Sequence, residues 1–333
     1  MHHHRPRLIT TVVAYTVALA TVVCTAQASP GRTPGPTTVG LARTDHVYLP
    51  DSIFTLKFAY PEGKIDYEVL ELLLQRAVTA FSGQQPNDFW TQKFLPNDRV
   101  GLMIDVQNPP VPPIVVEAII RQLVSARVKP ENILIFARDE RDLFAAGFSL
   151  RQDRPGVKAY GAASLGYRNG VSRILLDMCD KVINVAVLRP HSQLGMTGAV
   201  YNHLACVPAT VAWQVTAQPH QLGSVAARPL IKQKVGLHFL IALHPFYALP
   251  TEAQPKPRWE YAGLLLGSDP VAVDTVGLKI LTAKRTEEGI QPAEPPIARQ
   301  YLEAACSEYR LGQADRDKIT VVTIGPEADS VAP

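Results

Sequence analysis

Residues 100–136 read VGLMIDVQNPPVPPIVVEAIIRQLVSARVKPENILIF, and this stretch decides the fold class. Val100 to Val106 is an apolar run broken only by Asp105, the length of a strand buried on both faces. Pro112 and Pro113 open a helix over Ile114 to Ala126, because the first N–H groups of a helix have no partner within it and proline supplies none. Ile133 to Phe136 is the next strand. Strand, helix and strand in that order form a crossover unit, which joins parallel neighbours.

The same alternation extends outward. Asp66 is placed to cap a helix whose Val69, Leu70, Leu73, Ala77 and Phe81 share one face. Val182 to Leu188 is a further apolar strand, and Leu264 to Leu266 another, leading into a helix started by Asp269 and Pro270. Ile319 to Ile324 is the last strand, and Pro250 to Pro257 reads as a surface excursion. The expectation is an α/β fold: a mostly parallel sheet with helices on both faces, forming a single mature domain over residues 48–328.

The N-terminus reads as a bacterial export signal over residues 1–28: basic Arg5 and Arg7, an apolar run from Leu8 to Cys24, and Ala26-Gln27-Ala28 as a cleavage site. Pro6 between the arginines and Val23 before Cys24 fit neither a twin-arginine nor a lipoprotein signal. The expected location is periplasmic or extracellular. The alternative is an uncleaved N-terminus, which would be the chain's membrane attachment. Residues 29–47, with Pro30, Gly31, Pro34, Gly35 and Pro36, read as a linker.

Composition narrows the function classes. The 333 residues are 47% hydrophobic, enough for a large core, and the net charge of +3 is spread without a basic stripe, so nucleic acid is not an expected partner. Beyond the signal stand Cys179, Cys206 and Cys306 with no Cys-x-x-Cys spacing, so no iron–sulfur cluster or zinc ribbon is expected. Their apolar neighbours favour buried thiols over a disulfide. No phosphate-binding glycine loop, dinucleotide fingerprint or Gly-x-Ser-x-Gly elbow is present.

Ligands of open parallel sheets bind beyond the carboxyl ends of strands, and three segments place polar residues there. The first holds Asp105 and Asn108; Asn108 before proline reads as a turn, whereas Asp105 needs a partner. The second runs from Asn184 through Arg189 and His191 to Thr197 and Asn202, with Arg189 and His191 as anion donors. The third holds Asp269, a helix cap, and Asp274, a carboxylate among apolar residues that requires a cation or donors. His238 and His244 match no zinc spacing and read as isolated histidines.

These residues carry a resemblance. Lys181-Val-Ile-Asn-Val, Leu188-Arg-Pro-His191, Thr197-Gly-Ala, Asn202 and Val207-Pro208, followed by Gly267-Ser-Asp-Pro-Val-Ala-Val-Asp274, are similar to the signatures of the family named domain of unknown function 362. The resemblance implies an α/β domain with a site built from Asn184, His191, Thr197, Gly198, Asn202, Asp269 and Asp274. It supplies no substrate and no cofactor. The chain departs from the family pattern at Met103, Arg189 and Tyr201, where lysine is usual, at Asp105, where asparagine is usual, and at Leu240 to Leu243, which lacks an expected aspartate.

Two functions follow as expectations. One is an enzyme acting on a small anionic substrate, with His191 as acid or base, Arg189 orienting the anion and Asp274 holding a cation or positioning His191. In it Asn184, Thr197, Asn202, Asp269 and Asp105 would contact the ligand. The alternative is a noncatalytic small-ligand-binding protein that has lost the family's lysines. A strand followed by Asp105 and a proline-rich turn into a helix also resembles lactate-racemase-like enzymes, at the level of fold alone.

Overall fold

A computed structural model of the chain describes residues 37–44, 48–49, 64–150 and 155–325. The expected export signal, residues 1–28, lies outside the described residues. Eight strands form one sheet: β1 (Thr38–Arg43), β2 (Val100–Ile104), β3 (Ile133–Ala137), β4 (Lys158–Gly161), β5 (Lys181–Val187), β6 (Val235–Ala242), β7 (Gly263–Gly267) and β8 (Thr320–Ile324). Their order is β8-β1-β7-β6-β5-β2-β3-β4. Within this sheet only β7 runs antiparallel to its neighbours, β1 and β6, and the other pairings are parallel. The mostly parallel α/β sheet expected from the sequence is therefore present.

Strands β2 and β3 are buried at every residue, which is why they read as continuous apolar runs and not as alternating ones. One face packs on helices α1 (Tyr67–Ser82) and α2 (Pro113–Ser125), with Leu102, Ile104, Ile183, Val185, Phe239 and Ile241 pointing to them. Asp66 caps α1 by accepting the Glu68 and Val69 N–H groups, and Gly83, at φ 66°, ends it in the left-handed region. The other face packs on short helix α3 (Ala199–Asn202), on α4 (Pro270–Glu287) and on α5 (Pro296–Ser307), through Met103, Val182, Ala186 and Leu240. No described helix is long and apolar enough to cross a membrane.

One boundary is corrected. Thr38–Arg43, assigned to the linker of residues 29–47, is a strand in the interior of the sheet between β8 and β7. Its Val39, Leu41 and Ala42 are fully buried. Six residues diluted by Thr38 and Gly40 show no readable period, yet Gly40 is where α1 crosses closest. A Cβ there would lie 2.6 Å from the Ala77 carbonyl oxygen, so the sheet and helix backbones touch through the missing side chain.

The connections fix where a site can be. From β2 the chain runs outward to β3 and β4, then returns to β5 on the other side of β2 and continues to β6. The segment after β2 leads to α2 on one face, and the segment after β5 leads to α3 on the opposite face. Neighbouring strands whose connections leave for opposite faces open a crevice at their carboxyl ends.

Candidate functional site

Asp105 follows β2 and Arg189 follows β5, so both stand in that crevice, and they form an ion pair. Both are buried, at 2% and 4% exposure. Arg189 Nη1 also donates to the carbonyls of Gln107 (3.1 Å) and Pro109 (2.8 Å), while Asp105 accepts the N–H groups of Gln107 (3.1 Å) and Val187 (3.4 Å). The partner that Asp105 required is therefore Arg189. Through its Nη groups Arg189 holds the loop after β2, while its Nε is buried without a partner.

A second set of polar groups lies beneath, on the face that carries α3. Met103, Asn184 and His238 are register partners across β2, β5 and β6. Asn184 donates to the Ala199 carbonyl (2.8 Å) and to His238 Nδ1 (3.1 Å), which places the neutral ring's proton on Nε2. Asn202 donates to Asn184 Oδ1 (2.7 Å) and the Met103 carbonyl (3.1 Å). His203 Nδ1 donates to the same Ala199 carbonyl at 2.8 Å. Burial holds His203 down at about 4 and His238 well below the usual histidine range, so both rings are neutral near pH 7.

Asp274 completes this set. From α4 its two oxygens accept the N–H groups of Ala199 (2.6 Å) and Val200 (2.8 Å), fixing the start of α3. Gly198 leaves no room between them, since a Cβ there would collide with the Asp274 carboxylate. Asp274 is fully buried, and burial pushes its carboxyl up to about 7 against the lowering effect of the two N–H groups. Asn184, Asn202 and Asp274 thus meet around Ala199 and Val200.

The remaining expected residues do not join them. Asp269 accepts the N–H groups of Val271 (2.8 Å), Ala272 (3.0 Å) and Gln313 (2.7 Å), so it caps α4 and anchors the segment before β8. His191 Nδ1 accepts the N–H groups of Gln193 and Leu194, both at 3.2 Å, within a hairpin whose strands are Arg189–His191 and Gly195–Thr197. Thr197 is fully buried with its hydroxyl unpartnered. Cys206 Sγ lies 3.4 Å from Met103 Sδ, and burial pushes the Cys179 thiol up to about 12 and the Cys206 thiol higher still, so both are unreactive. Among the described residues no group of three or more His, Cys, Asp or Glu is placed to hold a metal ion.

Open space flanks the Asp105–Arg189 pair. A cleft of about 410 Å³ is lined by Asn108, Pro109, Pro113, Val187 and Leu243. A smaller one, about 210 Å³, lies at the carboxyl ends of β2 and β3 and is walled by Asp105, Gln107, Arg138, Asp139, Tyr201 and Asn202. Gln107 Nε2 donates to the Tyr201 hydroxyl at 2.8 Å, so that hydroxyl keeps its own proton to donate. Arg138 and Gln107 were not singled out from the sequence. The signal for Arg138 was its place immediately after the apolar run of β3.

Residues 158–279 match the family model of the domain of unknown function 362. The matched segment runs from β4 into α4 and holds Asn184, Arg189, His191, Thr197, Asn202, Asp269 and Asp274, while Asp105 and Arg138 lie outside it. No curated protein matches the chain. Among solved structures, the chain is similar to a structural genomics target from Thermotoga maritima, at 11% identity and TM-score 0.35 over 63% of this chain and 60% of that one. It is also similar to the lactate racemase apoprotein from Thermoanaerobacterium thermosaccharolyticum, at 13% identity and TM-score 0.36 over 63% of this chain and 54% of that one. The chain spans less than two thirds of either structure.

Four of the departures from the family pattern fall around this region. Met103 is the register partner of Asn184, Tyr201 precedes Asn202 and walls the smaller cleft, and Arg189 pairs with Asp105.

Two outcomes follow. Arg189→Met leaves the Asp105 charge buried alone and should lower unfolding free energy by about 3–5 kcal/mol in urea titrations, with part of the loss recovered in Arg189→Met/Asp105→Asn. For Asp274 the folded carboxyl sits at about 7 against an ordinary 3.8, so the folded state binds the extra proton between those values. Its contribution is greatest in acid and declines as pH rises through 7. The stability of the wild type relative to Asp274→Asn should therefore fall by about 2–3 kcal/mol from pH 5 to pH 8. A flat difference would show that Asp274 does not titrate there.

Proposed function

We propose that the protein binds a small molecule at the carboxyl edge of β2, β3 and β5, and that it does so without a His191–Arg189–Asp274 catalytic centre. One observation carries this reading: both Asp274 oxygens accept backbone N–H groups at zero exposure, and the Arg189 Nη groups are engaged by Asp105 and two carbonyls. The signature residues build and brace the floor of a cleft. The smaller cleft, at about 210 Å³, is below the ~300–1,000 Å³ typical of drug-sized ligands and suits a metabolite of modest size. The same proposal places the protein outside the cytoplasm, on the support of Arg5, Arg7, the apolar run to Cys24 and the small-residue cleavage site.

A second reading, an enzyme, is favoured by His191. It is half-buried, its ring centroid is 5.6 Å from that of Tyr201, and burial together with Arg189 lowers its pKa. Because Nδ1 accepts two N–H groups, the neutral ring carries its proton on Nε2.

Native mass spectrometry with elemental analysis, on protein expressed from Ser29 and purified without chelators, separates these readings. The binding reading expects a small-molecule adduct that His191→Ala retains unaltered. An adduct that wild type converts and His191→Ala does not would establish the enzyme instead. A bare chain, with no melting-temperature response to small anionic or neutral metabolites, would end the binding reading.

A further inference from the structure

We infer that the outer edge of β8 is a self-association surface, where a second copy of this chain adds its own β8 antiparallel about Val322 and continues the sheet; the inference stands apart from the binding reading above.

Strand β8, Thr320-Val-Val-Thr-Ile324, pairs with β1, and among the described residues no strand lies beyond it. The Thr320 N–H donates to the Thr37 carbonyl on the β1 side at 3.2 Å. The N–H and C=O of one strand residue point to the same neighbour, and the direction alternates along the strand. In register with β1, Val322 and Ile324 therefore turn their backbone groups inward with Thr320, while Val321 and Thr323 turn theirs outward. The opposite edge of the sheet is guarded. Strand β4 is four residues long, carries Lys158, and donates the Gly161 N–H to Glu140 Oε1 of the helix Glu140–Ala145 at 3.5 Å. Charge, short length and cover are the devices that keep a sheet edge from pairing. The five residues of β8 include no charge, proline or glycine, and Val322 is 39% exposed.

The outward groups of β8 are complementary to themselves. A two-fold axis perpendicular to the sheet through Val322 sets Val321 opposite Thr323 of the second copy, and Thr323 opposite Val321 of the second copy. Directly opposed residues of this kind exchange both hydrogen bonds, so an identical strand meets every outward N–H and C=O of the two residues. Val322 then faces its own counterpart and Thr320 faces Ile324, pairs of β-branched side chains that suit a sheet. Such an axis keeps each face of the sheet on its own side, so Val321 of both copies stays against the core beneath. A contact of five residues lies at the small end of specific interfaces, and the product is a reversible, concentration-dependent dimer. Because β8 stands four strands from β5, pairing there leaves the clefts at the carboxyl edge open. The axis reverses strand direction, so the clefts of the two copies open at opposite ends of the joint sheet.

Sedimentation velocity on the full mature chain over a wide concentration range tests the pairing. The expected result is a weight-average mass that climbs with concentration toward twice that of the monomer. Val322→Lys opposes two ammonium groups on the axis and should weaken association at least ~10-fold. Val322→Cys, in a Cys306→Ser background, should form an intermolecular disulfide under mild oxidation. Opposed residues at a non-hydrogen-bonded position have Cα atoms about 4.5 Å apart, within the span of that bond. Ile324→Cys, opposite Thr320, should cross-link far less. The cysteine pair keeps the test decisive even where the lysine variant folds poorly. A monomer at every concentration overturns the inference, as does a dimer that Val322→Lys leaves intact or equal cross-linking at both cysteine positions. A chain ended after Gly325 that dimerises where the longer one does not would assign the edge to residues 326–333 of the same chain, and overturns it too.

Discussion

The ion pair between Asp105 and Arg189 is the constraint from which the geometry of the carboxyl edge follows. Each charge is costly to remove from water, and the pair is sustained by further partners: two carbonyls on the guanidinium and two N–H groups on the carboxylate. It joins the ends of two adjacent strands whose chains depart to opposite faces of the sheet. Because Asp105 also fixes the Gln107 backbone, it sets where the Gln107 amide meets Tyr201, and hence one wall of the smaller cleft.

Beneath it, polar side chains serve the backbone. Asn184, Asn202, His203 and Asp274 direct their hydrogen bonds to the carbonyls of Met103, Val185 and Ala199 and the N–H groups of Ala199 and Val200, apart from the amide contact between the two asparagines and the one with His238. Such a network gives α3, a helix of four residues with no stability of its own, a single position on the sheet. The residues that resemble the family signature thus serve to a large extent to hold one short helix. Arg138, which walls the smaller cleft, comes from another part of the chain.

What could be read from the residues depended on whether an element announces itself locally. Val100–Ile104, Ile133–Ala137 and the helix after Asp269 were legible because burial on both faces produces unbroken apolar runs and because proline and aspartate mark helix starts. Thr38–Arg43 was not, since its burial is arranged by strands and a helix far away in sequence. That Asn184, Asp105 and Asp274 each needed partners was equally legible from their apolar surroundings. The identity of the partners was not: His238 is 54 residues from Asn184, and Arg189 is 84 from Asp105. The need is a local property, whereas its satisfaction is a property of the topology.

Asp269, which caps helix α4, and Asp274 within it each abut a glycine from elsewhere in the chain: Asp274 against Gly198, and Asp269 against Gly312. In both cases a β-carbon on the glycine would occupy the space of the carboxylate. Each aspartate and its glycine therefore form one unit of inheritance. A lineage that gains a side chain at either glycine must first give up the acid that faces it, so in divergent relatives these two pairs should be kept, or lost, together.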